Sequence, residues 1–230
     1  MSRPCRLFLF DLDGTLIDSR EDIVRAVDAV MIRMALPPPS PADVIRLVGD
    51  GIEPLIERVL FKVTGVDPDP LQVSTGVKLI LEEYRRHLIG TTSLYPGVRE
   101  TLNAMHSAEL GLISNKPEEL CKRILAAFDL ADRFCVVLGG DSLPRRKPDP
   151  APLVNAMSRC GIAPAETVMV GDSPADIIAG KAAGAATCGV SYGFRSREEL
   201  QAAGSDVIID RFEDLPQHFT CLETGRSADC

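Results

Sequence analysis

The sequence predicts an α/β protein: a Rossmann-like parallel-sheet core, interrupted after its first strand by an inserted all-helical cap. Three observations carry that expectation. A short apolar run, Leu7 to Phe10, ends directly at acids. Residues 16–92 then place their apolar side chains at helical spacing only. From Gly97 onward strand-like and helix-like stretches alternate, the pattern of a parallel sheet with helices on both faces.

Leu7–Phe10 is short and apolar, so it reads as a buried strand. After Ser19 the period changes. Ile23, Val24, Val27, Val30, Met31 and Met34 recur at helical spacing, and the pattern ends before Pro37-Pro38-Pro39. Ser19, with Asp22 three residues on, has the form of a capping box for that helix. Ser40-Pro41-Ala42-Asp43 opens a second helix, Gly51 to Phe61 forms a third, and Leu71 to Ile89 a long fourth. Beyond Gly97 the expected order is helix 97–107, strand 111–113, helix 118–127, strand 136–138, helix 151–160 and strand 168–170. Helix 174–183, strand 187–190, helix 197–203 and strand 207–209 complete it. The core is thus assigned to 1–15 and 93–219, the cap to 16–92, and 220–230 to a disordered tail.

Composition narrows the function. The 230 residues are 45% hydrophobic, enough for a sizeable core. Net charge is −8, and the longest basic run is Arg145-Arg146-Lys147, which argues against a nucleic-acid partner. No window approaches the apolar length of a membrane span, and the first residues do not form a signal peptide. Seven cysteines are scattered and never spaced as CxxC, which argues against a disulfide framework or a zinc site and fits the cytoplasm. An acidic chain repels anionic substrates at long range, so a phosphorylated substrate would need a cation in its site.

In open parallel sheets ligands gather beyond the carboxyl ends of the strands. The first strand leads into Asp11-Leu12-Asp13-Gly14-Thr15. Two carboxylates one residue apart, followed by glycine, suit a metal and phosphate site, although Asp-Gly is also a common turn pair. A calcium loop of the EF-hand kind is excluded, because Leu16 stands where its glycine is required. After the second strand, Ser114-Asn115-Lys116-Pro117 opens a helix and offers either a phosphate cradle or a plain N-cap. After the third, Lys147 in Arg146-Lys147-Pro148-Asp149-Pro150 could bring the missing cation. After the fourth comes Gly171-Asp172-Ser173-Pro174-Ala175-Asp176. The tetrapeptide Ser-Pro-Ala-Asp also occurs at 40–43, where no chemistry is suspected, so Asp176 reads equally as a helix cap. Asp172 is the stronger candidate.

Together and in this order, the segments DLDGT, SN, KPDP and GDSPAD resemble the four motifs of the haloacid dehalogenase-like superfamily. Within it the chain is similar to the phosphoglycolate phosphatases, on VGDGIEPLIERVL, GGDSLPRRKPDPAPL and VSYGF. The resemblance implies a magnesium-dependent phosphatase of a small phosphorylated metabolite, 2-phosphoglycolate first, working through an aspartyl-phosphate. Another small substrate (a sugar phosphate, pyrophosphate or a nucleotide monophosphate) is the runner-up, and a catalytically quiet binding protein of the same fold is the alternative from another class. The resemblance also implies that Asp11 is the nucleophile and Asp13 the acid and base. Magnesium would sit on Asp11, the Asp13 carbonyl and Asp172, with Asp176 in support. Ser114 and Lys147 would hold the phosphoryl oxygens, with Gly14, Thr15, Asn115 and, from the cap, Gly49 and Gly51 also assigned to substrate. Asp13 argues against a dehalogenase, and the absence of a cap lysine at 46–52 against a phosphonate-cleaving relative. A glycolate carboxylate would want a cation, for which Arg46, Arg58, Lys62, Lys78, Arg85, Arg86 and Arg195 are candidates. Gly189-Val190-Ser191-Tyr192-Gly193 also fits the elbow of serine hydrolases, but too little chain follows to build their sheet. A monomer or homodimer is expected.

Overall fold

The computed structural model describes residues 2–222. In chain order its strands and α-helices are β1 (Arg3–Cys5), β2 (Leu7–Phe10), β3 (Ile17–Asp18), α1 (Arg20–Arg33), α2 (Pro41–Leu47), α3 (Ile52–Thr64) and α4 (Pro70–Arg86). There follow β4 (Ser93–Leu94), α5 (Val98–Ala104), β5 (Glu109–Ile113), α6 (Glu118–Ala127), β6 (Val136–Leu138), α7 (Ala151–Cys160) and β7 (Thr167–Gly171). The chain continues through α8 (Pro174–Ala182), β8 (Ala186–Val190), α9 (Arg197–Ala202), β9 (Val207–Ile209), α10 (Leu215–His218) and β10 (Phe219–Cys221).

Six strands form one parallel sheet in the order β6-β5-β2-β7-β8-β9. Strand β2 lies inside it and is buried on both faces, which is why its sequence is continuously apolar rather than alternating. The alternation is present in direction instead. Phe8 and Phe10 join a core cluster with Leu102 of α5, Ile124 of α6 and Phe212, whereas Leu7 and Leu9 pack with Leu153 and Met157 of α7 and Ala179 of α8. The order of the strands places the switch point beside β2, so Asp11 emerges where loops from both halves of the sheet converge.

Helices α1–α4 form the insertion, and their inward faces (Val27, Met31, Ile56, Leu60, Ile80) are continuous with the core cluster on the Phe10 side. One short strand departs from the helical reading of 16–92. Ile17–Asp18 pairs antiparallel with Ser93–Leu94, a two-stranded ribbon joining cap to core that is too short for periodicity to reveal. The expected tail is also corrected in part. Phe219–Cys221 is a strand parallel to Arg3–Cys5, and Phe219 is buried against the core, so residues 220 and 221 are paired. The rest of that tail, 223–230, lies outside the described residues. Among the described residues no helix is long and apolar enough to cross a membrane.

The expected capping box at Ser19 and Asp22 is absent. Ser19 makes no side-chain cap, and Asp22 instead accepts the backbone N–H groups of Gly90 (2.9 Å), Thr91 (3.0 Å) and Thr92 (2.8 Å), with the Thr92 hydroxyl at 2.6 Å. Asp22 thus ties the first cap helix to the return crossing. Burial opposes its ionisation, but the hydrogen bonds from Thr92, Gly90 and Thr91 outweigh it and hold its pKa below the usual value. Asp22→Ala leaves these donors unmatched and is expected to cost about 2–4 kcal/mol in urea unfolding at pH 7. Because the folded pKa is depressed, this contribution is present above the unfolded pKa of about 3.9 and is lost as pH falls through the folded value. The difference between variant and wild type should therefore shrink below about pH 4; a constant difference down to pH 2.5 would refute the ionic account.

Candidate active site

The ends of β2, β5 and β7, together with the loop after β6, bring their polar residues to one buried point. Asp11 continues β2, donating its N–H to Val170 O of β7 (2.9 Å), and its side chain meets Asp172 just beyond β7 and Asp176 in the first turn of α8. One carboxylate oxygen from each of the three lies within 4.8 Å of the others, and all three residues are buried. Lys147, 3% exposed, reaches into the group from the loop before α7. Its Nζ donates to Asp11 Oδ1 (2.8 Å), Asp176 Oδ1 (2.6 Å) and Ile113 O (2.6 Å).

One ammonium faces three carboxylates, and the electrostatics show it. Burial pushes Asp11 up to about 6, Lys147 only partly offsetting this, with Asp176 and Asp13 adding repulsion. Burial and then the charges of Asp11 and Asp176 push Asp172 well above the carboxylate range. Burial alone would lower Lys147, but Asp11 and Asp176 more than reverse it, so the ammonium stays charged.

Asp176 caps its helix, as the sequence allowed, and also reaches Lys147. Its Oδ2 accepts the Ser173 N–H (3.0 Å) and hydroxyl (2.7 Å) as a helix cap, while its Oδ1 takes Lys147. Gly14 has φ +84°, and a Cβ there would collide with the Asp172 carboxylate, so glycine is required both by conformation and by space. A Cβ at Gly193 would collide with the Asp172 side chain and the Gly14 carbonyl, and the N–H of Phe194 donates to Asp172 Oδ2 at 2.6 Å.

Asp13 stands apart from the three acids. The Lys116 ammonium holds both of its oxygens (2.9 and 3.0 Å), and the Ser19 hydroxyl donates to Oδ1 (2.6 Å). Tyr84 of the cap places its ring 5.1 Å from the Lys116 nitrogen. Lys116 and this role of Ser19 were missed by sequence reasoning. The adjacency of Lys116 to Ser114-Asn115 was the available signal, whereas Ser19 had an obvious local alternative as a cap.

These groups line a cavity of about 60 Å³ between core and cap. Asp11, Asp13, Ser114, Asn115, Lys147 and Asp172 face it from the core, and Val48, Gly49, Gly51, Ile52, Leu55 and Tyr84 from the cap. Gly14 and Thr15 are not among its lining residues. Gly14 supports Asp172, and Thr15 is fully buried, its carbonyl accepting the Tyr192 hydroxyl. Asn115 bridges rather than opens: its Nδ2 donates to Gly49 O of the cap and to Lys147 O, both at 2.9 Å. Of the candidate cations for a carboxylate, Arg58, Lys62, Arg85 and Arg86 are paired with Asp50, Asp43, Glu119 and Glu83, and of the seven Arg195 alone lines the cavity. Ser191 directs its hydroxyl to Ile209 O and to the Asp210 carboxylate.

Comparison with known proteins agrees with this architecture. A family model described as haloacid dehalogenase-like hydrolase matches residues 8–190. A phosphoglycolate phosphatase of Chromobacterium violaceum is 37% identical over 208 residues, covering 90% of this chain and 92% of that protein. One of Salmonella paratyphi A is 36% identical over 224 residues, covering 90% and 89%. The crystal structure of a predicted phosphoglycolate phosphatase from Haemophilus somnus superposes with a TM-score of 0.87 at 32% identity, over 93% of this chain and 97% of that one. With four motif loops on one sheet edge and a match running from β2 to β8, the chain belongs to the haloacid dehalogenase-like hydrolases.

Proposed function

We propose that this chain hydrolyses small phosphate monoesters, 2-phosphoglycolate foremost, with Asp11 as nucleophile. The observation that carries the reading is the convergence of Asp11, Asp172 and Asp176 on one buried point with a single lysine among them. Relatives at 36–37% identity that are named phosphoglycolate phosphatases support the choice of substrate. The small, cap-covered cavity supports a small one.

The donor set fits magnesium. It is all oxygen, buried and short of positive charge, which is why Asp11 and Asp172 resist ionisation without a cation. Asp11 and Asp172 would hold the ion, with the Asp13 carbonyl, and Asp176 would support them through its bond to Lys147. Bound there, the ion would neutralise the charge of phosphate meeting carboxylate.

The chain's own groups account for the rest. Lys147 holds Oδ1 of Asp11, while Oδ2 accepts no hydrogen bond among the described residues and is left to attack phosphorus. As the bond to the ester oxygen breaks, Asp13 supplies a proton to the departing alkoxide. Asp13 then takes a proton from the water that cleaves the aspartyl-phosphate, restoring Asp11 and releasing inorganic phosphate. Ser19 and Lys116 fix the Asp13 carboxylate for this exchange. Ser114 faces the cavity where a phosphoryl oxygen would lie. A cytoplasmic location and a monomeric or homodimeric state belong to the same proposal.

The test is turnover of a panel of phosphorylated metabolites by purified protein, with and without magnesium. Activity should require the ion, vanish with a chelator, ignore a serine-directed reagent, and be highest on 2-phosphoglycolate. Activity that survives chelation and is lost to the serine reagent would transfer the nucleophile's role to Ser191 and end this reading.

A further inference from the structure

Four consecutive residues after β8 touch three parts of the molecule that must act together. The Tyr192 hydroxyl donates to Thr15 O (2.9 Å), where the chain leaves the core for the cap. Gly193 packs against Asp172 and the Gly14 carbonyl, and Phe194 donates its N–H to Asp172 Oδ2 (2.6 Å). Arg195 then crosses to the cap. Its Nη1 donates to Ile45 O (3.0 Å), and its Nη2 to Arg46 O (3.1 Å) and Val48 O.

Those carbonyls belong to the last turn of α2 and its C-cap, groups that a helix end leaves without partners of its own. The negative end of the helix dipole also favours a cation there. Arg195 makes no ion pair with a carboxylate within 4.0 Å among the described residues. A planar fork spreads its donors over two nitrogens and so spans carbonyls set apart along the helix end, whereas a lysine in its place would bring all its donors to one point. The guanidinium also lines the cavity, beside Gly49.

We propose that Arg195 is a positioning residue that latches the cap over the cavity, and that the strap Tyr192–Arg195 sets cap closure and the orientation of Asp172 together. The value of this latch to catalysis rests on the phosphatase reading above; the latch itself does not. The strap explains why one short loop contacts hinge, acid and cap, which a surface loop has no reason to do. It also gives Arg195 a different task from that of a cation reading the substrate's carboxylate, and the two tasks predict different results.

Cap position can be read without substrate. Val66 in the cap and Val154 on α7 are exposed, at 67% and 50%, and can be replaced by spin-labelled cysteines after Cys135, Cys221 and Cys230 are changed to serine. Electron–electron distances should show one dominant closed population in the parent protein. Arg195→Ala should lower the ratio of closed to open by about tenfold, the scale of losing charge-assisted hydrogen bonds in a partly solvated place. Arg195→Lys should fall between, and Arg195→Gln serves if the alanine variant does not fold. In turnover, Arg195→Ala should lower kcat/KM by a similar factor for a carboxylate-bearing phosphate and for an aryl phosphate. An unchanged distance distribution overturns the latch. So does a loss confined to the carboxylate-bearing substrate. If the parent hydrolyses no phosphate ester at all, the phosphatase reading falls alone, and the distances still decide the latch.

Discussion

Asp11→Asn is expected to abolish turnover while making the metal-free protein more stable. The first effect follows from chemistry: an amide is a poor nucleophile, so phosphoryl-enzyme formation and product release should disappear together. Removing an enzyme's nucleophile can cost on the order of a millionfold in kcat. The second effect follows from electrostatics. Asp11 is buried, faces Asp172 and Asp176, and titrates at about 6 in the folded chain. An unfolded aspartate titrates at about 3.9. With the folded pKa the higher of the two, the folded state binds the proton more tightly, so ionised Asp11 is a penalty. It is absent below about pH 4, builds up between about 4 and 6, and is complete above that. In chelator at pH 7.5 the asparagine variant should therefore be more stable by about 1–3 kcal/mol, and the gain should fade as pH drops to 4. Magnesium should reverse the order, because the wild type gains more binding energy. Equal unfolding midpoints in chelator at pH 7.5 and 4 would show that Lys147 already balances the site.

The same site explains what sequence could and could not reveal. Strand β2 was legible because a parallel strand buried on both faces must be continuously apolar; the edge strands β6 and β9 are only partly buried but equally apolar, and all three fall within the expected residues. Asp11, Lys147, Asp172 and Asp176 were legible because each follows a strand end or opens a helix, where the fold itself gathers polar groups. What escaped depended on partners far along the chain. Asp22 meets residues 90–92, Lys116 meets Asp13, and Arg195 meets the carbonyls of 45–48. Local reading gave Ser19 and Asp22 to each other as a capping box, a sound choice at that range. The fold instead turned Ser19 to Asp13 and Asp22 to the return crossing, where several long-range bonds outweigh one local cap. Strands of two residues, such as β3 and β4, carry no period to detect.

Lys147→Met is expected to remove most activity and to destabilise the fold, a pairing opposite to that of Asp11→Asn. Methionine keeps much of the side-chain volume but leaves Asp11 Oδ1, Asp176 Oδ1 and the Ile113 carbonyl without their common donor. Breaking a buried ion pair from one side costs about 3–5 kcal/mol, because the remaining charge is left uncompensated. Without the ammonium Asp11 takes up its proton at a pH above its wild-type value of about 6, and that relieves part of the cost, so the deficit should be largest in alkaline solution and narrow as the pH falls towards 6. The ammonium itself does not supply this slope. Its pKa is raised on folding, so its contribution is complete below the unfolded lysine value of about 10.4 and is lost only at higher pH. Catalytically, a lost charge at the attacked phosphoryl group should lower kcat by about a hundred- to a thousandfold, as removal of a preorganised electrostatic group does elsewhere. The double variant Lys147→Met, Asp11→Asn separates the two effects. Asparagine needs no counter-charge, so its stability deficit should be smaller than the sum of the single changes by about 1–3 kcal/mol, measured by urea unfolding in chelator. Strict additivity would mean that Lys147 stabilises the fold through Asp176 and Ile113 alone, and that its bond to Asp11 matters only to the chemistry.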